Sequence, residues 1–180
     1  QARQKLIKQF FNDMFTFDQM ACSSPNIIFW LGNREHIRIF NNALQEEVTT
    51  KKYEVSSFAA MRRLSYSFEL ASQFDIVTNL KHPGFISIQS KSIKQVVKKA
   101  CGGGLLIHIR ISNLDELQSI MGEEDQTITY FGLTQEEKHK LAEISMGADR
   151  IVPIGEALTF EEIWDSYDLI DDLVCKVVVR

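Results

Sequence analysis

Apolar and polar positions alternate along this chain with two periods, and the change from one to the other divides it. In QARQKLIKQFFNDMF, Ile7, Phe10, Phe11 and Met14 return every three or four positions, the spacing that gathers side chains on one face of a helix. The same period predicts helices over residues 34 to about 48 and over 56 to 72, the second with Met61, Leu64, Phe68 and Ala71 on its apolar face. Between the first two helices Pro25 resists helix, and NIIFWL, closed by Gly32 and Asn33, reads as a short strand.

Beyond residue 74 the pattern becomes that of strands. DIVTNL and GFISIQ flank a His-Pro turn, and LLIHIRI is almost continuously apolar, as a strand covered on both faces would be. A helix is expected next, with Ser112 or Asn113 as its cap, Asp115 and Glu116 at the positive end of its dipole and Gly122 at its close. QTITYFG and RIVPI read as strands, and DLVCKVVV as a last one. Thr134 with Glu137, and Thr159 with Glu162, have the T-x-x-E spacing of a capping box that opens a helix. Strands and helices therefore alternate from Leu105 onward, which predicts an α/β domain with a mostly parallel sheet flanked by helices.

Composition narrows the classes. A chain of 180 residues with 44% apolar content can bury a real core as one domain or one large lobe. A net charge of −4 gives no basic surface for nucleic acid, and no apolar run approaches the ~20 residues of a membrane span. The chain opens on Gln1 without a signal-peptide pattern, so it reads as a fragment or processed product. Cys22, Cys101 and Cys175 lie far apart with no C-x-x-C pair, a poor disulfide framework and a poor zinc site. Free thiols of this kind point to a reducing compartment, the cytoplasm.

One cysteine stands apart. Cys22 follows a helix and precedes Ser23-Ser24-Pro25, a tight polar segment able to present backbone N–H groups to a thiolate or to an oxyanion. Phe15, Phe17 and Met20 could wall an apolar acyl site beside it, or could be plain core. CGGG leads into a strand and lacks the spacing of a dinucleotide fingerprint, so its glycines read first as a turn allowing close backbone approach. Lys91, Lys94, Lys98 and Lys99 could share a helix face, solvated or meeting phosphates. His36, His82, His108 and His139 have no metal spacing; His108, inside an apolar strand, reads as a hydrogen-bonded core residue, with a proton relay as the alternative.

Four stretches in order, FTFDQMACSSP, CGGGLLIHIRISNLDEL, DQTITYFGLT and DRIVPIGEALTFEEIWDSYDLI, resemble the acyl-CoA reductases of the LuxC type, a branch of the aldehyde dehydrogenase superfamily. The resemblance covers essentially the whole chain. It implies an aldehyde-dehydrogenase-like catalytic domain over 1–172, a terminal strand over 173–180 for homo-oligomer contact, and an N-terminal cofactor-binding domain absent from this chain. Carried over by position, Cys22 matches the nucleophile that accepts the acyl group of an acyl-CoA or acyl-carrier thioester. NADPH then supplies the hydride that yields an aldehyde. The resemblance also places Gly102, Gly103 and Gly104 near cofactor or substrate, and TYFGL near the acyl or nicotinamide site. Where the wider superfamily has a carboxylate before the glycines, this chain has Lys98-Lys99-Ala100-Cys101. The rival reading is a non-catalytic assembly lobe with Cys22 as a passive thiol.

Overall fold

A computed structural model describes residues 1–91, 93, 98, 100–145, 147–164 and 167–173. Helix α1 (Ala2–Phe15) buries Ile7, Phe10, Met14 and Phe15. Strand β1 (Ile27–Leu31) follows, then α2 (Arg34–Thr50), whose Asn33 cap accepts the Glu35 N–H and whose Ile37, Phe40, Leu44 and Val48 face inward. Helix α3 (Ser57–Gln73) opens on Ser56, whose side chain accepts the Ala59 N–H. Strands β2 (Ile76–Lys81), β3 (Ile86–Ser90) and β4 (Leu105–Ile111) complete a four-stranded sheet of order β1-β4-β3-β2. Within this sheet only the β2–β3 hairpin, made at His82-Pro83, is antiparallel.

The continuous apolar run of β4 has its explanation in that order, because β4 lies inside the sheet with a helical layer over each face. Leu106 joins Phe85, Phe10, Phe40 and Leu44 under α1 and α2. Leu105, Ile107 and Ile109 join Ile86, Ile88, Tyr66 and Leu70 under α3. The architecture is α/β with a mostly parallel sheet flanked by helices.

Five expectations change in the structure. The inward face of α3 is Ala59, Arg63, Tyr66, Ser67 and Leu70, while Met61 and Phe68 stand 66% and 57% exposed. The reason is Arg63: its guanidinium turns inward and donates to the carbonyls of Gly84, Gly103 and Pro83 at 2.6, 2.8 and 3.2 Å, which sets the rotation of the helix. After β4 the chain makes a 3₁₀ turn (Leu114–Ser119), with the Glu116 carboxylate accepting the Ser112 N–H at 2.7 Å.

Strand β5 (Thr127–Tyr130) and β6 (Arg150–Pro153) form a separate parallel pair and do not extend the main sheet. Between them α4 (Gln135–Ile144) carries the expected capping box of Thr134 and Glu137. No helix opens at Thr159. Arg150 donates to the carbonyls of Glu156 and Thr159 at 3.4 and 2.9 Å and holds them in a loop, and a short ladder follows, β7 (Ile163–Trp164) with β8 (Tyr167–Asp168). Helix α5 (Leu169–Leu173) takes in Asp172 and Leu173, the start of the expected last strand. Residues 174–180, and with them Cys175, lie outside the described residues. No helix of the described residues is long and apolar enough to cross a membrane.

Candidate active site

Helix α1 delivers the chain to the cysteine and stops abruptly. Asp18 and Gln19 both take left-handed backbone, at φ +52° and +59°, and the Gln19 N–H turns back to the Met14 carbonyl at 2.7 Å. Such conformations cost non-glycine residues about 1–3 kcal/mol each and persist only where the surroundings fix them. Here they are fixed. The Tyr53 hydroxyl donates to the Asp18 carboxylate at 2.7 Å, and the Gly103 N–H donates to the Asp18 carbonyl at 2.8 Å. Burial, reinforced by the Asp18 carboxylate, raises the Tyr53 pKa, so this phenol stays a donor.

Next comes a β-turn closed by the Ser24 N–H on the Ala21 carbonyl at 3.0 Å, with Cys22 at its second position. Cys22 is exposed, while Ser23 and Ser24 are buried. Among the described residues nothing accepts the backbone N–H of Cys22 or of Ser23, and the Ser24 hydroxyl is also unpartnered. Unspent donors beside a sulfur are the parts an oxyanion site requires.

The turn forms part of the wall of a cavity of about 870 Å³. Its apolar lining includes Leu6 and Phe10 of α1, Leu117 of the 3₁₀ turn, and Tyr130, Phe131 and Leu133 at the carboxyl end of β5. The structure therefore brings Cys22 and the TYFGL stretch, more than a hundred residues apart in the chain, to one cavity. Strand ends of this kind are where open α/β sheets collect ligands.

The aromatics before the cysteine do not wall it. Phe15 packs in the core against Phe11 and Tyr53, and Phe17 and Met20 are exposed and outside the cavity lining.

Gly102, Gly103 and Gly104 lie behind the cysteine loop, also outside the cavity lining. All three have positive φ, at +66°, +66° and +87°. A Cβ on Gly104 would stand 2.6 Å from the Gly84 carbonyl oxygen, and one on Gly102 would strike the Met20 sulfur. The Gly103 and Gly104 N–H groups are spent on Asp18 and on the Gln19 side chain, so these two donors are taken up inside the protein. Their arrangement is the close backbone approach that glycine permits.

The remaining candidates separate cleanly. His108 is fully buried and accepts the Trp30 indole N–H on Nδ1 at 3.0 Å; burial, with His82 nearby, pushes its pKa down to about 3, so it is a neutral core residue. His36 is exposed and lines the cavity. Lys91 pairs with Asp75, and Lys98 pairs with Glu124 and Asp125 at 2.7 and 2.5 Å on the cavity wall. The other two lysines of that group, Lys94 and Lys99, lie outside the described residues. No group of three metal-ligating side chains occurs among the described residues.

The residue that sequence reasoning passed over is Gln19. Its side chain is 1% exposed and makes four hydrogen bonds, to the carbonyls of Pro25 and Leu105 and from the N–H groups of Gly104 and Leu105. Its place within FTFDQMACSSP was the one available signal.

Neither a family model nor a curated protein matches this chain. Solved structures do. Aldehyde dehydrogenase 21 from Physcomitrella patens, in complex with the reaction product succinate, is 13% identical at a TM-score of 0.61, over 90% of this chain and 38% of its own. The 1-pyrroline-5-carboxylate dehydrogenase of Thermus thermophilus is 12% identical at 0.59, over 90% and 36%. A lactaldehyde dehydrogenase is 10% identical at 0.56, over 83% and 36%. The chain thus has the fold of part of an aldehyde dehydrogenase, and spans little more than a third of the length of these structures.

Proposed function

We propose that this chain is the acyl-accepting part of an NADPH-dependent acyl reductase that converts an acyl thioester to an aldehyde. The observation that carries the reading is the placement of Cys22, exposed on a fixed turn, beside unspent N–H donors, in the wall of a largely apolar cavity. Thiolate sulfur attacks the thioester carbonyl carbon, and a new carbon–sulfur bond forms as the bond to coenzyme A or a carrier thiol breaks. The departing thiolate takes up the proton that Cys22 gave up. One thioester replaces another, so the exchange is nearly balanced in energy, and the N–H groups of Cys22 and Ser23 hold the negative oxygen in passing. The cavity takes the acyl chain and keeps it at the sulfur.

Bound NADPH would supply hydride to the acyl carbon, the reductive half that the sequence resemblance implies. The Gly103 and Gly104 N–H groups are bonded within the protein, so no step of that half is assigned to them. The fold likeness to aldehyde dehydrogenases supports the oxidoreductase class, and the order of the sequence stretches supports the thioester substrate.

Intact-mass spectrometry after incubation with a long-chain acyl-CoA tests the reading. The chain gains one acyl group and its Cys22→Ala variant gains none. Equal uptake by both, or by neither, removes Cys22 as the acceptor. The assembly-lobe reading draws on the exposed Phe58, Met61 and Phe68 of α3, and absence of any adduct would favour it.

A further inference from the structure

We infer that Gln19 is the positioning residue of the nucleophile, holding the Cys22 turn at a fixed distance from the start of β4. The inference rests on the proposed role of Cys22. The Gln19 amide is saturated. An amide side chain has two donor hydrogens and an acceptor oxygen with two lone pairs, and in Gln19 all four are used inside the protein. Nε2 donates to the Pro25 carbonyl and to the Leu105 carbonyl, each at 2.7 Å. Oε1 accepts from the N–H groups of Gly104 and Leu105 at 3.0 and 2.9 Å.

The partners of these bonds matter more than their number. One lies on the far side of the cysteine: Gln19 and Pro25 bracket Cys22, and the bond between them closes the loop like a drawstring. The other three lie at the end of the glycine turn and the first residue of β4, an interior strand of the sheet. The bracketed turn is thus tied through one side chain to a buried strand that is paired on both edges. Left-handed backbone at Gln19 aims that side chain inward, and 1% exposure keeps water from competing for its bonds. A nucleophile displaced by about 1 Å reacts on the order of 10²-fold more slowly with a substrate held by other residues. A small diffusible alkylating agent, which approaches from solvent, is indifferent to such a shift.

That difference supplies the test. Gln19→Glu keeps the shape and both accepted bonds but loses the amide donors; Gln19→Met keeps the bulk and loses all four. Each variant of the full chain is followed by acyl transfer from a long-chain acyl-CoA and, separately, by alkylation with iodoacetamide mapped to each cysteine. Buried Cys101 reports whether the fold has held. With Cys101 still protected, acyl transfer to Cys22 drops by about thirtyfold or more while its alkylation stays within about threefold of the unaltered chain. Acyl transfer at the unaltered rate, or acyl transfer and alkylation falling together, overturns the inference. Exposure of Cys101 in both variants assigns Gln19 to the fold alone and overturns it as well. An unaltered chain that takes no acyl group removes the nucleophile, and the role of Gln19 with it; the failure of Gln19 alone shows as an unaltered chain and variants acylated alike.

Discussion

Cys22 and Cys101 are the same residue type on two segments that touch, and the fold treats them in opposite ways. Cys22 stands exposed on a turn with unspent N–H groups around it. Cys101 is buried, its Sγ against the Gly102 carbonyl at 3.2 Å, at the head of three glycines pressed against neighbouring backbone. The Gly103 and Gly104 N–H groups reach from the second segment to Asp18 and Gln19 of the first. One cysteine segment is the buttress of the other. Exposure and free donors, not the thiol itself, separate a candidate nucleophile from a core residue.

The harshest way to break this comparison is at the buttress. Gly104→Ala puts a Cβ 2.6 Å from the Gly84 carbonyl oxygen at a φ of +87°, and should cost about 3 kcal/mol or more of stability, read from the urea midpoint. Nearly as large is Leu70→Ala, which empties a 3%-exposed site under α3 for about 3 kcal/mol, measured the same way.

A pH series sharpens the view of how α1, which leads into the Cys22 turn, is held. The Asp13 carboxylate accepts the Gly155 N–H at 2.6 Å, and burial pushes its pKa up from 3.8 to about 6. The folded chain therefore holds this proton more tightly than the unfolded chain does. Its contribution to stability is full below pH 3.8, is lost as pH rises to about 6, and is level above that. The stability of the native chain relative to Asp13→Asn should fall through that window, as urea midpoints taken across it would report. The smallest effect belongs to the outer face of α3, where Met61→Lys should change stability by no more than about 0.5 kcal/mol in a thermal melt, against the large loss at Leu70.

That last pair marks where the sequence was legible and where it was not. Periodicity found α1, α2 and α3 and the apolar β4, because each buries a stripe that its spacing announces. It kept Leu64 against the core but turned Met61 and Phe68 inward with it, because an arginine at a core-facing position looks like surface until its three carbonyl partners are known. The second capping box failed for a related reason: Arg150 gathers the carbonyls around Thr159, and it lies too far upstream for any local pattern to include. Cys22 was singled out by its polar turn and by resemblance, and residues of TYFGL line the same cavity. The task of the glycine turn and the clamp by Gln19 were hidden, since both depend on bonds spanning eighty-five residues or more.

The most direct measurement is the position of the acyl group. After incubation with a long-chain acyl-CoA, peptide mass spectrometry should find it on the peptide that holds Cys22, with Cys101 unmodified. An acyl group on Cys101 or on a lysine with Cys22 bare, or no acyl group at all, would contradict the account.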